Sequence, residues 1–279
     1  MHQLGGALRH MTLQPRKRIV IYASELAACI GRNPYKNRDD CVKEVYERHF
    51  AKPGDEAPMT KRKRAEEALG RLREASPETY ELCVKTMAAP AQTSDEVLQL
   101  AAVADEALKK NVASDEAREA IAEHVRSAAY TKFGTEQEDG VRVALRERVE
   151  KKDDFVKKLV LSRDDVDVFV GGRCDGISAD METGEKTLYE VKNRMRKLLG
   201  RVPEYERVQT MAYLHLFDIA NGVLVERHKD NVKRHAVPFD AEYWDGVVRD
   251  LEDFVEELMQ QQDVKKADAD ADADADGVV

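Results

Sequence analysis

Hydrophobic positions along the chain follow a helical period in some stretches and a strand period in others. Val97, Leu100, Ala101, Ala104 and Leu108 recur at three- and four-residue intervals, which predicts one helical face. Val247, Leu251, Phe254, Val255 and Leu258 do the same between acidic residues, so Tyr243 to Met259 reads as an amphipathic closing helix. Shorter runs rich in branched and aromatic residues, Val156 to Leu161, Val166 to Val170 and Thr187 to Val191, predict strands, with Glu182 to Glu185 as the turn between the second and third. Ala23 to Cys29 predicts a short helix begun by Ser24 and stopped by Gly31-Arg32-Asn33-Pro34, and a second helix follows from Arg38 to Phe50. Ser76-Pro77, Thr93 with Glu96, and Ser114 mark further helix starts. Helices, then a strand meander, then helices give a mixed α/β chain.

Composition divides this pattern into parts. Residues 1–54 form the N-terminal part of a core, joined by a linker containing Pro53, Gly54 and Pro58 to an alanine-rich helical insert over 55–130. Residues 131–263 carry the strands and the closing helix. The strict Ala-Asp alternation from Ala267 to Asp276 offers nothing large and apolar to pack, so 264–279 is expected to be a disordered tail.

Charge changes the picture more by its distribution than by its sum. The net charge is −9, but the segment from Asp240 onward holds fourteen acids against three bases, leaving a slight positive excess in residues 1–239. Residues 1–38 carry seven Lys or Arg and only Glu25 as an acid, and Lys192 to Arg201 carries five bases with no acid. A polyanion has somewhere to bind, although such runs are ordinarily solvated faces. No apolar run is long enough to span a membrane, and MHQLGGALRH lacks the apolar core of a leader, so a soluble intracellular protein is expected. Cys29, Cys41, Cys83 and Cys174 are too scattered for a disulfide scaffold or a CxxC metal site and are expected to be free, mostly buried thiols.

The candidate chemistry lies in Cys174-Asp175-Gly176 and Tyr189-Glu190-Val191-Lys192. Alternation along a strand sends Glu190 and Lys192 to one face and Val191 to the other. A hairpin through Glu182 to Glu185 would return Asp175 beside Glu190, so that two carboxylates and an ammonium meet. Hard oxygen ligands suit Mg²⁺ or Mn²⁺, and a neighbouring Lys can orient water and offset developing negative charge, an arrangement suited to phosphodiester hydrolysis. A Glu-x-Lys triplet alone is ordinarily a surface ion pair.

Further motifs supply context. Ala23-Ser24-Glu25-Leu26-Ala27-Ala28 with Gly31-Arg32-Asn33-Pro34-Tyr35-Lys36, Phe133 to Arg142, Asp175-Gly176, Glu190-Val191-Lys192, and Val208-Gln209 with Ala212-Tyr213 follow in order. Together they resemble the YqaJ-type viral recombinases, a family related to phage lambda exonuclease within the PD-(D/E)XK nuclease superfamily. The resemblance covers residues 16–50 and 130–225. It implies a restriction-endonuclease-like core, a central mixed sheet flanked by helices, here with a helical insert. It implies a magnesium-dependent 5′ to 3′ exonuclease that resects double-stranded DNA ends for recombination, with a single-strand annealing protein and a homo-oligomer as possible partners. By the same resemblance Glu138, Asp175 and Glu190 hold metal with the Val191 carbonyl, and Lys192 assists the attacking water. Ser24 binds a DNA phosphate, Arg16, Lys17 and Arg18 meet the terminal phosphate, and Gln209 flanks the site. A viral origin would put the protein in the cytoplasm or nucleus of a host.

Arg207 stands where the family commonly has Gln, and residues 61–130 exceed the family's spacing, so nothing transfers to them. The alternatives are an endonuclease or single-strand nuclease of the Cas4-like type, whose four-cysteine pattern is missing here, and a catalytically silent DNA-binding scaffold. His124 and His215 read as structural histidines, and Phe133, Tyr189 and Tyr213 as core aromatics rather than base-stacking ones.

Overall fold

The computed structural model describes residues 16–52, 59–91, 93–144, 149–151, 153–163 and 165–276. The leader reading at the N-terminus, the centre of the Pro-Gly linker and the last three residues lie outside them.

A basic strand, β1 (Lys17–Tyr22), enters the core and runs directly into α1 (Ala23–Cys29). Asn37 caps α2 (Arg38–Phe50) by accepting from the Asp39 amide. Four helices follow: α3 (Lys61–Ala75), α4 (Pro77–Ala88), α5 (Ser94–Asn111) and α6 (Asp115–Ala144). Proline starts α4, and Thr93 with Glu96 forms a reciprocal capping box on α5, as the sequence signals predict. Leu69, Leu72, Cys83, Leu108, Ile121 and Val125 close a separate small core within this helical layer. The boundary expected at residue 130 falls inside α6, which continues unbroken to Ala144 because no proline interrupts it.

The strands follow: β2 (Val156–Arg163), β3 (Val166–Gly172), β4 (Gly176–Ala179) and β5 (Lys186–Asn193). Next come α7 (Glu204–Phe217), β6 (Asn221–His228), β7 (Asn231–Ala236) and α8 (Ala241–Asp276). They form two mixed sheets, ordered β1-β3-β2 and β4-β5-β6-β7, with parallel pairs β1/β3 and β5/β6. Ile19, Ile21, Val166, Val168 and Val170 line the inner face of the first sheet. They bury against Leu26 of α1, Met211 and Leu214 of α7, and Leu251, Phe254 and Leu258 of α8. Val141 of α6 packs on Tyr189, Val191 and Val225 of the second sheet.

One expectation is corrected. The 182–185 turn joins the third predicted strand not to the second, which ends at Gly172, but to an additional strand, β4, after the chain changes sheets. Gly172 permits this close passage, since a Cβ there would lie 2.7 Å from the Tyr213 ring. α8 runs through Asp276, across the segment read as a disordered tail. All four cysteines are free and buried, and no described helix is long and apolar enough to cross a membrane.

Candidate active site

The turn between β4 and β5 sets the register on which the site depends. Asp180 Oδ1 accepts from the amides of Glu182 (2.9 Å) and Thr183 (2.7 Å), and Gly184 takes the left-handed φ of 72° that a side chain would disfavour. Gly176 therefore pairs with Tyr189, and Asp175 falls beside Glu190 and Val191. Asp175 Oδ2 accepts the Val191 amide hydrogen at 2.6 Å.

On β5, Leu188, Glu190 and Lys192 share one face, while Tyr189 and Val191 enter the layer beneath α6. Glu190 is only 2% exposed, and Lys192 Nζ donates to its Oε1 at 2.7 Å. Lys192 also donates to Gln209 Oε1 at 3.0 Å, and Gln209 Nε2 donates to the Tyr213 hydroxyl at 3.3 Å. α7 thus helps to fix the ammonium through Gln209. Glu190 Oε2 is buried and has no protein partner.

Electrostatics reflects this crowding. Burial first and the Asp175 carboxylate second push Glu190 up to about 8; Lys192 opposes them, and Glu138 on α6 adds to the rise. Burial works against the Lys192 charge, but the Glu190 and Asp175 carboxylates outweigh it and hold the ammonium above its ordinary value. Burial, with Glu190 and Asp175, pushes the Cys174 thiol up to about 12. Among the described residues no three His, Cys, Asp or Glu side chains form a ready-made metal cage. The carboxylates of Asp175 and Glu190 adjoin, and Glu138 acts on Glu190 through its charge.

The remaining predicted residues separate into two places. Ser24 is exposed in the first turn of α1, next to Ala23, whose Cβ lies 3.3 Å from where a Cβ on Gly172 would sit. Arg16 and Lys17 are at the other end of β1, roughly 20 Å away for a strand of this length. Arg16 Nε donates to Asp167 Oδ1 at 2.7 Å, and Lys17 pairs with Asp165 at 3.3 Å and donates to Gln262. Arg18 adds its charge to the same Asp167. The expected grouping of Arg16, Lys17 and Arg18 with Ser24 is therefore not made; a strand, unrecognised in the sequence, holds them apart. Arg207 pairs with Asp240 at 3.0 Å and covers the Tyr243 ring at 3.9 Å.

Sequence reasoning missed a buried ionic hub beside the site. Arg194 binds Glu206 with two hydrogen bonds of 2.6 Å and Glu226 with one of 2.7 Å. Glu226 also accepts from the Leu199 and Gly200 amides, at 3.1 and 2.9 Å, and pairs with His235 at 2.9 Å. Burial alone would raise its pKa, but these donors prevail and hold it below the ordinary carboxylate value. The hub anchors the basic segment after Lys192. Arg194, just past the end of β5 and two residues beyond Lys192, was the available signal, but its partner Glu226 sits in a strand with no clear pattern.

No protein-family profile matches the chain, and no curated protein matches it by sequence. Its structure is similar to that of SSO0001, at 16% identity over 85% of this chain and 75% of that one, with a TM-score of 0.43. It is also similar to an alkaline exonuclease from Laribacter hongkongensis, at 13% identity, covering 68% of this chain and 92% of that one, with a TM-score of 0.40. A phage-related exonuclease from Haemophilus somnus 129PT is similar at 12% identity over 87% and 96% of the two chains, with a TM-score of 0.37. At these scores the likeness is coarse, and the functional reading rests on the site itself.

Proposed function

We propose that the protein is a metal-dependent deoxyribonuclease with a PD-(D/E)XK core that resects double-stranded DNA ends in the 5′ to 3′ direction. The observation that carries this reading is the Glu190 carboxylate. One oxygen is held by Lys192, the other is buried and unpartnered, and Asp175 lies alongside. A buried carboxylate oxygen without a donor is costly unless a cation completes it.

The donor set fits a hard divalent cation. Glu190, Asp175 and Glu138, with the Val191 carbonyl, would hold Mg²⁺ or Mn²⁺. When bound, the metal supplies a more acidic water and neutralises phosphate charge. The chain's own residues do the rest. The Asp175 bond to the Val191 amide fixes the two acidic segments against each other. Gln209 and Glu190 aim the Lys192 ammonium, which can donate to a phosphate oxygen or to the attacking water as negative charge develops. Water oxygen bonds to phosphorus, the bond to the 3′ oxygen breaks, and that oxygen leaves with a proton. A single-strand annealing protein would take the exposed 3′ strand.

The test is incubation of 5′-phosphorylated linear duplex with Mg²⁺ or with EDTA, beside a calcium-binding titration of wild type and Asp175→Ala. Loss of linear duplex only with Mg²⁺, and calcium binding lost in the variant, are expected. Cutting of closed circular DNA would favour an endonuclease, and cutting confined to single strands a Cas4-like activity. DNA binding without hydrolysis would favour a silent scaffold.

A further inference from the structure

The aromatics that the sequence offered for base stacking are enclosed: Phe133, Tyr189 and Tyr213 are at most 8% exposed. The end of the first sheet instead presents Tyr22 at 39% and Phe155 at 46%. Their rings meet edge to face, with centroids 5.9 Å apart and planes at 89°, and Arg48 covers Tyr22 at 4.4 Å. Arg48 is itself fixed by two hydrogen bonds to Glu25, at 2.7 and 2.8 Å. Phe155 lies on Gly171, where an added Cβ would come within 2.7 Å of its Cζ. The absent side chain at 171 gives the ring a seat against backbone, so a large apolar surface is held rigid while half open to water.

Its position gives this surface a use. Tyr22 pairs with Gly171, and Gly171 precedes Asp175 by four residues, so the backbone under the platform is within roughly 14 Å of the Asp175 backbone. At 3.4 Å per nucleotide along one strand, that is about four base steps. Exposed Lys157 and Arg173 flank it and suit a phosphate backbone. Exposed Ser24 lies in the first turn of the helix that follows Tyr22.

We propose that Phe155, braced by Tyr22 and Arg48, is a stacking platform for a nucleobase of the DNA strand engaged at the Asp175–Glu190 site. This rests on the nuclease reading above. Every base has a π-face, so such a platform grips the strand without reading its sequence, and it positions the phosphate next to the base it holds.

The test crosses Phe155→Leu with duplexes in which each of the four terminal nucleotides of one strand is made abasic in turn. Binding is measured on the full chain in Ca²⁺, and KM and kcat in Mg²⁺. For wild type, removing one particular base should weaken binding and raise KM about tenfold, with kcat changed less than about twofold. Phe155→Leu should show the same tenfold loss on intact duplex and no further loss on the abasic one, while Phe155→Trp should behave as wild type. Equal affinity of wild type for intact and all abasic duplexes would overturn the proposal, as would undiminished discrimination by Phe155→Leu. A wild-type dimer in sedimentation that Phe155→Leu dissociates would also overturn it, because a second copy would then cover the ring. Failure of wild type to cleave in Mg²⁺ would overturn the nuclease reading alone, since the binding arm decides the platform independently.

Discussion

Asp175 and Val191 are joined by a hydrogen bond from the Val191 amide to Asp175 Oδ2 at 2.6 Å, so a candidate ligand also ties β5 to the segment that enters β4. The two duties can be separated. Asp175→Asn keeps an acceptor for the amide and should melt close to wild type while losing hydrolysis by orders of magnitude. Asp175→Ala should lose hydrolysis equally and also about 1.5–3 kcal/mol of stability, the usual worth of a hydrogen bond to a charged group. Denaturant melts beside nuclease assays check this, and undiminished cleavage in either variant would remove Asp175 from the site.

Lys192→Met should lower turnover more than metal affinity, because the ammonium acts on water and phosphate rather than as a ligand. It should also destabilise the metal-free protein by about 3 kcal/mol at alkaline pH, near the low end for breaking a buried pair because the Lys192 side chain keeps 23% exposure. Adding Glu190→Gln should restore most of that loss. Lys192→Arg should rescue charge but not full turnover, since a planar fork replaces a point charge. Normal turnover in Lys192→Met would reduce the triplet to a structural ion pair.

Wild type should degrade 5′-phosphorylated blunt duplex faster than the 5′-hydroxyl form. Ser24→Ala should narrow that difference, whereas Lys17→Ala should leave it unchanged, because Lys17 is engaged with Asp165 and Gln262 at the far end of β1. Single-turnover rates on the two duplexes decide it; an effect of Lys17→Ala equal to that of Ser24→Ala would count against this separation.

His215 stacks on Trp244 at 4.7 Å, and its buried Nε2 has no partner. Burial first, and the Lys158 charge second, lower its pKa from the ordinary 6.5, with Asp218 opposing. Below pH about 6.5 the unfolded chain therefore takes up a proton that the folded chain refuses, so this contribution to stability is complete above 6.5 and is lost as pH falls. His215→Phe should shrink the drop in melting temperature between pH 7 and pH 5. An unchanged drop would assign the acid sensitivity elsewhere.

Removing residues 265–279 should leave the melt cooperative and its midpoint nearly unchanged, while lowering the helical circular dichroism signal, because α8 runs to Asp276. Loss of the helical signal separates a helical tail from a disordered one; a collapse of the melt would show that the fold depends on it.

What could be read from the sequence follows from how locally each feature is encoded. The hairpin that brings Asp175 to Glu190 is written in adjacent residues, with Asp180 and Gly184 setting the turn, so that pairing was legible. Helix starts were legible for the same reason, since Thr93 and Glu96 satisfy each other within one turn. β1 was not, because its six residues begin with Lys17-Arg18, which look like a basic arm until β3 supplies a parallel partner. β6 hides Glu226, whose burial makes sense only with Arg194 opposite, and β7 is almost wholly exposed and carries no alternation. Features that depend on a distant partner left no local pattern.

The single helix α6 joins the helical layer to the site. Asn193 Nδ2 donates to the Gly134 carbonyl at 2.9 Å, and Val141 is wedged against the second sheet, so the rod is pinned on either side of Glu138. The two anchors are about 10 Å apart, and about 28 Å of helix extends from Gly134 toward Asp115. A splint held at two points cannot pivot about either, so Glu138 is shielded from movements of the helical layer.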